Sequence, residues 1–201
     1  MIVVIGNLLG RPDEAGHVKP AGFAAAVAVA GVRAGSKVQV VARVGEDAAG
    51  DGVMLGLAAD GVGHVATLRD AGHETPVMAD DVDETVEEGP EPFDAGELGG
   101  PTLEAADVGL ALRYLTDYRV IVVAHAADAG VVREAASAAM WAGAHLVVVD
   151  TNEADLEPAS LPDGALVLAA QPDAEGLAAR LGLYAATVDS GGDADTAYAV
   201  L

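Results

Sequence analysis

The 201-residue sequence has no cysteine, which excludes disulfide bonds, thiolate catalysis and cysteine-ligated zinc or iron–sulfur centres. No apolar run approaches the roughly 20 residues that span a bilayer, and the first residues lack the basic region and cleavage site of a signal peptide. Aromatic residues make up only 3% of the chain, so we expect a core of small Ala, Val and Leu side chains. These absences favour a cytoplasmic protein without a membrane partner.

Basic side chains are also scarce, because 10 Lys and Arg stand against 32 Asp and Glu, for a formal net charge of -22. Such a surface repels the phosphates of nucleic acids, so we expect no nucleic-acid partner. Repulsion among carboxylates destabilises the folded state unless salt screens it. The composition fits a halophilic protein of a salt-rich cytoplasm, and it fits an ordinary acidic protein from a GC-rich genome equally well.

Short apolar runs alternate with alanine-rich stretches of helical length. This pattern predicts one α/β domain over residues 1–201, with a mainly parallel sheet and helices on both faces. The predicted strands are residues 2–5, 38–42, 120–124, 145–149, 165–168 and 185–188. The predicted helices are residues 23–34, 49–59, 103–115, 129–142 and 174–181.

The stretch over residues 79–101 interrupts this alternation with acidic residues, prolines and glycines. It is a predicted solvated loop. Its acidic residues lack the spacing of an EF-hand calcium loop, so we expect no metal site here.

An ordered series of motifs begins at Pro20. A glycine turn at Gly22 precedes an alanine-rich helix, a strand follows, and the turn Val44-Gly45-Glu46-Asp47-x-x-Gly50 precedes the next helix. The ungapped spacing resembles the N-terminal signature of the ribokinase-like, PfkB-type carbohydrate kinases, and a later Thr75 also resembles that family. The resemblance implies a three-layer αβα domain, and in active members it implies ATP and Mg²⁺.

Positions that the resemblance assigns to substrate binding differ from the family pattern. The family's Asp after the first strand falls near Arg11, and the Asn of its first signature helix falls on Ala26. Neither residue binds a sugar hydroxyl in the family's manner. The family also inserts a small β-lid before the glycine turn, whereas residues 7–19 look too short for it, so we expect the lid strands to be absent.

Three residues remain as candidates for binding a substrate or other ligand. Asn7 follows the first strand, Gly22 lies in the glycine turn, and His125 follows the predicted strand 120–124. The carboxyl end of a strand is where α/β sheets place ligands. A lone His at such a position is also compatible with a purely structural hydrogen bond.

The C-terminal family motif, Asp-Thr-x-Gly-Ala-Gly-Asp, holds the transferring phosphate on backbone amides and supplies the catalytic base. Residues 189–195 read Asp-Ser-Gly-Gly-Asp-Ala-Asp, which places Asp195 at the base. The remnant of the anion hole comprises Gly191, Gly192, Asp193 and Ala194. Asp193 brings a carboxylate to the phosphate position, where an Asp is also an ordinary helix cap. Upstream, the resemblance implies a Pro-Asn-x-x-Glu motif near residues 169–175. The Asn of that motif is not in place, and only Glu175 is a plausible remnant of it.

These departures predict a shortened, degenerate sugar-kinase-like protein that is catalytically inactive and binds a small molecule or a protein partner without a cofactor. The alternative is an active ATP-dependent carbohydrate or nucleoside kinase that uses Asp195 as its base. Phosphoryl transfer needs cations around the phosphates, and the chain has only Lys19 and Lys37 as lysines. The sequence is also compatible with a homo-oligomer.

Overall fold

The computed structural model describes residues 1–78, 99–124, 128–150, 161–169 and 173–201. The strands within these residues are β1 (Ile2–Ile5), β2 (Leu9–Pro12), β3 (Val18–Ala21), β4 (Val38–Gly45), β5 (Gly63–Asp70), β6 (Val120–Val123), β7 (His145–Asp150) and β8 (Leu166–Ala169). The helices are α1 (Phe23–Arg33), α2 (Ala48–Ala59), α3 (Ala105–Tyr114), α4 (Ala129–Ala142), α5 (Ala174–Asp189) and α6 (Ala194–Ala197). A 3₁₀ turn, Tyr198–Val200, follows α6.

Six of the strands form one parallel sheet in the order β5-β4-β1-β6-β7-β8. Strand β1 lies between β4 and β6, and all four of its residues are buried. The predicted internal position of residues 2–5 is therefore confirmed. A strand that is covered on both faces has to be apolar along its whole length, as Ile-Val-Val-Ile is.

The helices cover both faces of the sheet. Ile2 and Val4 of β1 belong to one core cluster with α1, α2 and α5, whereas Val3 and Ile5 belong to a second cluster with α3 and α4. The alternation of side chains along a strand separates these two cores. The structure confirms the predicted three-layer αβα architecture with a mainly parallel sheet.

The predicted strand 185–188 is wrong, because α5 runs without interruption to Asp189. Gly182, which looked like the end of a shorter helix, lies inside α5 where that helix meets α1. A Cβ atom at Gly182 would come within 2.4 Å of the Ala30 Cβ. Close packing of two helices, rather than a helix end, explains this glycine. Tyr184 and Ala185 belong to the buried face of this helix.

Two strands form in the connection before the glycine turn, which looked too short for them. Strands β2 and β3 pair antiparallel, from Leu9 opposite Ala21 to Pro12 opposite Val18. The connection is long enough because its turn is tight, with the Asp13 carboxylate accepting hydrogen bonds from the backbone N–H groups of Ala15 and His17. The hairpin packs on α2 through β3.

The sequence prediction also missed β5, an edge strand that pairs with β4 alone. Its sequence, GHVATLRD, mixes polar and apolar residues because much of the strand faces solvent, and Val65 is 80% exposed. Most of the predicted loop 79–101 lies outside the described residues. None of the described helices is both long and apolar enough to cross a bilayer.

Candidate functional site

Two of the predicted ligand-binding residues lie at the carboxyl edge of the sheet. Asn7 follows the end of β1, and Gly22 is the N-cap of α1 with a φ of 89°. This left-handed backbone is accessible to glycine at little cost, and the turn carries the chain from the hairpin into the helix. Gly22 has no side chain with which to cap α1. The carboxyl edge of a parallel sheet is the usual ligand side of such folds.

A groove of about 630 Å³ begins at Gly22 and follows the outer face of α1. The hairpin and the first residues of α5 form its sides. Its apolar lining includes Pro12, Pro20, Phe23, Ala25, Ala26, Val29, Ala30, Met78, Ala174 and Ala179. The volume lies within the range of about 300–1,000 Å³ that is typical of small-molecule sites. The exposed Ala26, at the position of the family's Asn, contributes no polar group to it.

Charged side chains of both signs surround the groove. The basic ones are Arg11, Lys19 and Arg33, and the acidic ones are Asp13, Asp60 and Glu175. Lys19 Nζ lies 3.2 Å from Asp13 Oδ2. Backbone hydrogen bonding from His17, together with Lys19, holds the pKa of Asp13 below its ordinary value. The Arg11 guanidinium lies 3.5 Å from the sulfur of Met78.

The Gly-Glu-Asp turn of the resemblance forms a structural network beside α2. The Asp47 carboxylate accepts hydrogen bonds from the Gly50 N–H (2.6 Å), the Thr75 N–H (2.6 Å) and the Thr75 hydroxyl (2.9 Å). The same hydroxyl oxygen accepts a hydrogen bond from the Gly45 N–H at 2.8 Å. These contacts join the end of β4, the start of α2 and the segment after β5. They account for Thr75, which is buried although it is polar.

The C-terminal turn lies at the opposite, amino edge of the sheet. The Tyr184 hydroxyl in α5 lies 2.7 Å from Nε2 of His145, the first residue of β7. Asp189, the last residue of α5, contacts the amino group of Met1. Helix α5 therefore runs from the carboxyl edge towards the amino edge, and residues 191–195 follow its end. Gly191 has Arg119, the residue before β6, as a neighbour there.

Asp193 is the N-cap of α6. Its carboxylate accepts hydrogen bonds from the Thr196 N–H at 2.9 Å and from the Thr196 hydroxyl at 2.8 Å. These two hydrogen bonds lower the pKa of Asp193. The cap predicted for Asp193 is thus present, and it precedes a helix that begins at Ala194.

The structure does not bring the predicted base and the predicted ligand-binding residues together. Asp195 lies at the amino edge, whereas Asn7 and Gly22 lie at the carboxyl edge. His125 lies outside the described residues. Glu175, the expected remnant of the nucleotide motif, is in the first turn of α5 and lines the groove.

Sequence reasoning missed Asp173, which is the N-cap of α5. Its Oδ1 accepts a hydrogen bond from the Gly176 N–H at 2.9 Å, and its Oδ2 lies 3.5 Å from Nη1 of Arg180. Helix α5 follows β8 and begins next to the groove, so Asp173 lies at the carboxyl edge of the sheet. The available signal was the Asp-Ala-Glu start of a long helix directly after a strand.

No three His, Asp or Glu residues among residues 1–78, 99–124, 128–150, 161–169 and 173–201 come together as a possible ligand set for a metal ion.

Comparison with known proteins supports the fold. No protein-family model matches the sequence, and no curated protein matches it either. The chain is similar in structure to a protein named Sa239, with 14% identity and a TM-score of 0.58 over 92% of this chain and 69% of the other. It is similar to a PfkB protein from Polaromonas sp. JS666, with 19% identity and a TM-score of 0.55 over 89% and 60%.

A fructokinase from Xylella fastidiosa is a third neighbour, with 18% identity and a TM-score of 0.52 over 99% of this chain and 68% of the other. The chain thus spans between 60% and 69% of the length of these three proteins. It is an α/β protein with a parallel six-stranded sheet. Its fold is the ribokinase-like fold of PfkB-type sugar kinases.

Proposed function

We propose that this protein binds a small molecule in the groove beside α1 and does not transfer phosphate with its C-terminal turn. The observation that carries the proposal is the separation of the two parts. The groove begins at the carboxyl edge near Gly22, whereas Asp195 and its neighbouring glycines lie beyond the far end of α5. A catalytic base acts only within about 3 Å of the proton that it abstracts, or through one water.

The electrostatics of residues 191–195 support the same conclusion. The Asp193 carboxylate already accepts from the Thr196 amide, and it places a negative charge at the start of α6. A phosphate would have to displace that carboxylate and overcome its repulsion. The occupant that we propose is a small molecule, since the net charge of -22 opposes nucleic acid.

A second function, an active ATP-dependent carbohydrate or nucleoside kinase, has one specific observation in its favour. Asp173 begins α5 at the same edge as Gly22, next to groove residues Ala174 and Glu175. In that arrangement Asp173, rather than Asp195, would take the proton from a substrate hydroxyl. The structural neighbours include a fructokinase and an aminoimidazole riboside kinase from Salmonella enterica, so both sugars and nucleosides belong in the test.

The test is calorimetric titration with sugars and nucleosides, with and without ATP–Mg²⁺, together with an assay for ADP release. We expect binding of a small molecule that Ala26→Trp abolishes, because this exposed residue lines the groove and an indole would fill it. Ala58→Trp is the matched control, because Ala58 is exposed on α2 and does not line the groove. We expect no ADP release that depends on a sugar or nucleoside.

Two variants separate the alternatives. Turnover that is lost in Asp173→Asn and kept in Asp195→Asn would establish the kinase with the base at the carboxyl edge. Turnover that is lost in Asp195→Asn would contradict the placement of the site. Binding that Ala26→Trp leaves unchanged would contradict the groove as the binding site.

A further inference from the structure

The groove collects cations in a chain that has few of them. Arg11, Lys19 and Arg33 are three of the ten basic residues, and all three line this one groove. With the three acidic residues beside them, the groove is formally neutral, so the rest of the chain carries the whole net charge of -22. For an anion approaching this protein, the groove is therefore less repulsive than the surrounding surface.

Two of these cations oppose each other in the hairpin. Arg11 of β2 is the direct cross-strand partner of Lys19 of β3. Like charges in directly opposite positions destabilise an antiparallel pair, so a hairpin selected for stability alone would avoid them. The Asp13 carboxylate lies 3.2 Å from Lys19 Nζ and balances the charge of that lysine. No described carboxylate forms an ion pair with Arg11, whose guanidinium contacts the sulfur of Met78. A bound anion would relieve this repulsion.

Arg33 provides a third positive charge in the last turn of α1. It is exposed, and no described carboxylate forms an ion pair with it. Guanidinium groups bind phosphates and carboxylates through paired N–H donors in a planar arrangement. Between the hairpin and Arg33, the lining is formed by Ala26, Val29 and Ala30, which offer contact to an organic body but no hydrogen-bonding side chain.

We propose that the ligand of this groove is a small organic anion, whose body lies on the apolar face of α1 and whose phosphate or carboxylate is attracted by the positive charges of Arg11 and Lys19 at one end of the groove and of Arg33 at the other. This inference rests on the proposed function and specifies its ligand class. A free inorganic ion would leave the apolar lining unused. A polyanion would meet the repulsion of the remaining surface.

The test compares three sugar-sized probes by calorimetry at one fixed salt concentration: ribose, ribose 5-phosphate and gluconate. Inorganic phosphate is the fourth titrant. We expect at least one of the two organic anions to bind about tenfold or more tightly than ribose and than inorganic phosphate. The comparison of ribose 5-phosphate with gluconate tells a phosphate from a carboxylate ligand.

Charge-removing variants locate the anion. Arg11→Gln and Arg33→Gln are each expected to weaken the organic anion about fivefold, the upper end for an exposed ion pair, and to leave ribose unchanged. Arg113→Gln is the matched control, because Arg113 is an exposed arginine in the last turn of α3, on the other face of the sheet. It should change none of the affinities.

The outcomes distinguish the two proposals. Ribose that binds as tightly as both anions, with an affinity that Ala26→Trp abolishes, would overturn the anionic ligand and leave the groove as a binding site. An anion preference that Arg113→Gln reduces as much as Arg11→Gln does would also overturn it, since the preference would then be a general charge effect. Inorganic phosphate that binds as tightly as the better of the two organic anions would do the same.

Discussion

Removal of the Asp47 carboxylate should be among the most destabilising polar substitutions in this chain. Asp47 caps α2 through the Gly50 N–H and also accepts both the N–H and the hydroxyl of Thr75. Loss of an N-cap costs about 0.5–2 kcal/mol. Loss of a hydrogen bond to a charged group costs about 1.5–3 kcal/mol. The contacts share one carboxylate and are not additive, so we expect Asp47→Ala to lower the free energy of unfolding by about 3 kcal/mol.

The measurement is urea unfolding followed by circular dichroism, with Asp51→Ala as the control. Asp51 lies in the first turn of the same helix and pairs with Arg69 at 2.8 Å, but its side chain is 67% exposed. An exposed pair of this kind contributes at most about 1 kcal/mol. A loss for Asp47→Ala no larger than that for Asp51→Ala would refute the reasoning.

The pH dependence provides an independent check. Burial acts to raise the pKa of Asp47, but the hydrogen bonds from Gly50 and Thr75 outweigh it, and the net pKa lies below the ordinary value of 3.8. The carboxylate therefore contributes its stability above that value and loses it as the pH falls through the lower, folded-state pKa. Asp47→Asn should accordingly be less pH-sensitive than the wild type in this acid range, and an unchanged acid profile would contradict the assignment.

Three further perturbations follow from the structure. Arg43→Met should cost about 2 kcal/mol in urea unfolding, because the guanidinium joins β4 to α3 through Asp107 at 2.8 and 3.0 Å; a loss below 0.5 kcal/mol would contradict this estimate. Burial lowers the pKa of His145, which contacts the Tyr184 hydroxyl, so stability should fall as the pH drops below about 6.5 and His145→Asn should flatten that slope. If repulsion within the net charge of -22 limits stability, the thermal midpoint should rise between dilute buffer and molar KCl. An unchanged midpoint would contradict a halophilic adaptation and leave the acidic charge as a matter of composition alone.

Apolar runs predicted the internal strands, because a strand with both faces covered has one pattern only. Residues 2–5 match the observed strand β1, and the predicted helix 129–142 matches α4. The edge strand β5 and the hairpin strands are half-exposed and contain Lys, Arg or Pro, so they lack that pattern. Their pairing depends on neighbours that are distant in sequence, which composition does not report.

The sequence pattern points to one residue of the groove that we propose as the binding site. Gly22 was found from its place before an alanine-rich helix, and it does line the groove. Arg11 and Lys19 were not predicted to share a site, because only the register of the hairpin puts them opposite each other. Asp173 was not predicted, because its role depends on where α5 begins relative to the groove, which only the fold shows.

One misassigned element decides at which edge of the sheet the C-terminal turn lies. Successive strands and helices of an α/β sheet run in opposite directions, so each one carries the chain from one edge to the other. With residues 185–188 as a strand, the turn after them would lie at the carboxyl edge. With the same residues as the last part of α5, the turn lies at the amino edge, beside Met1 and Arg119. The position of a phosphate-binding motif therefore depends on the number of elements before it as much as on its own residues.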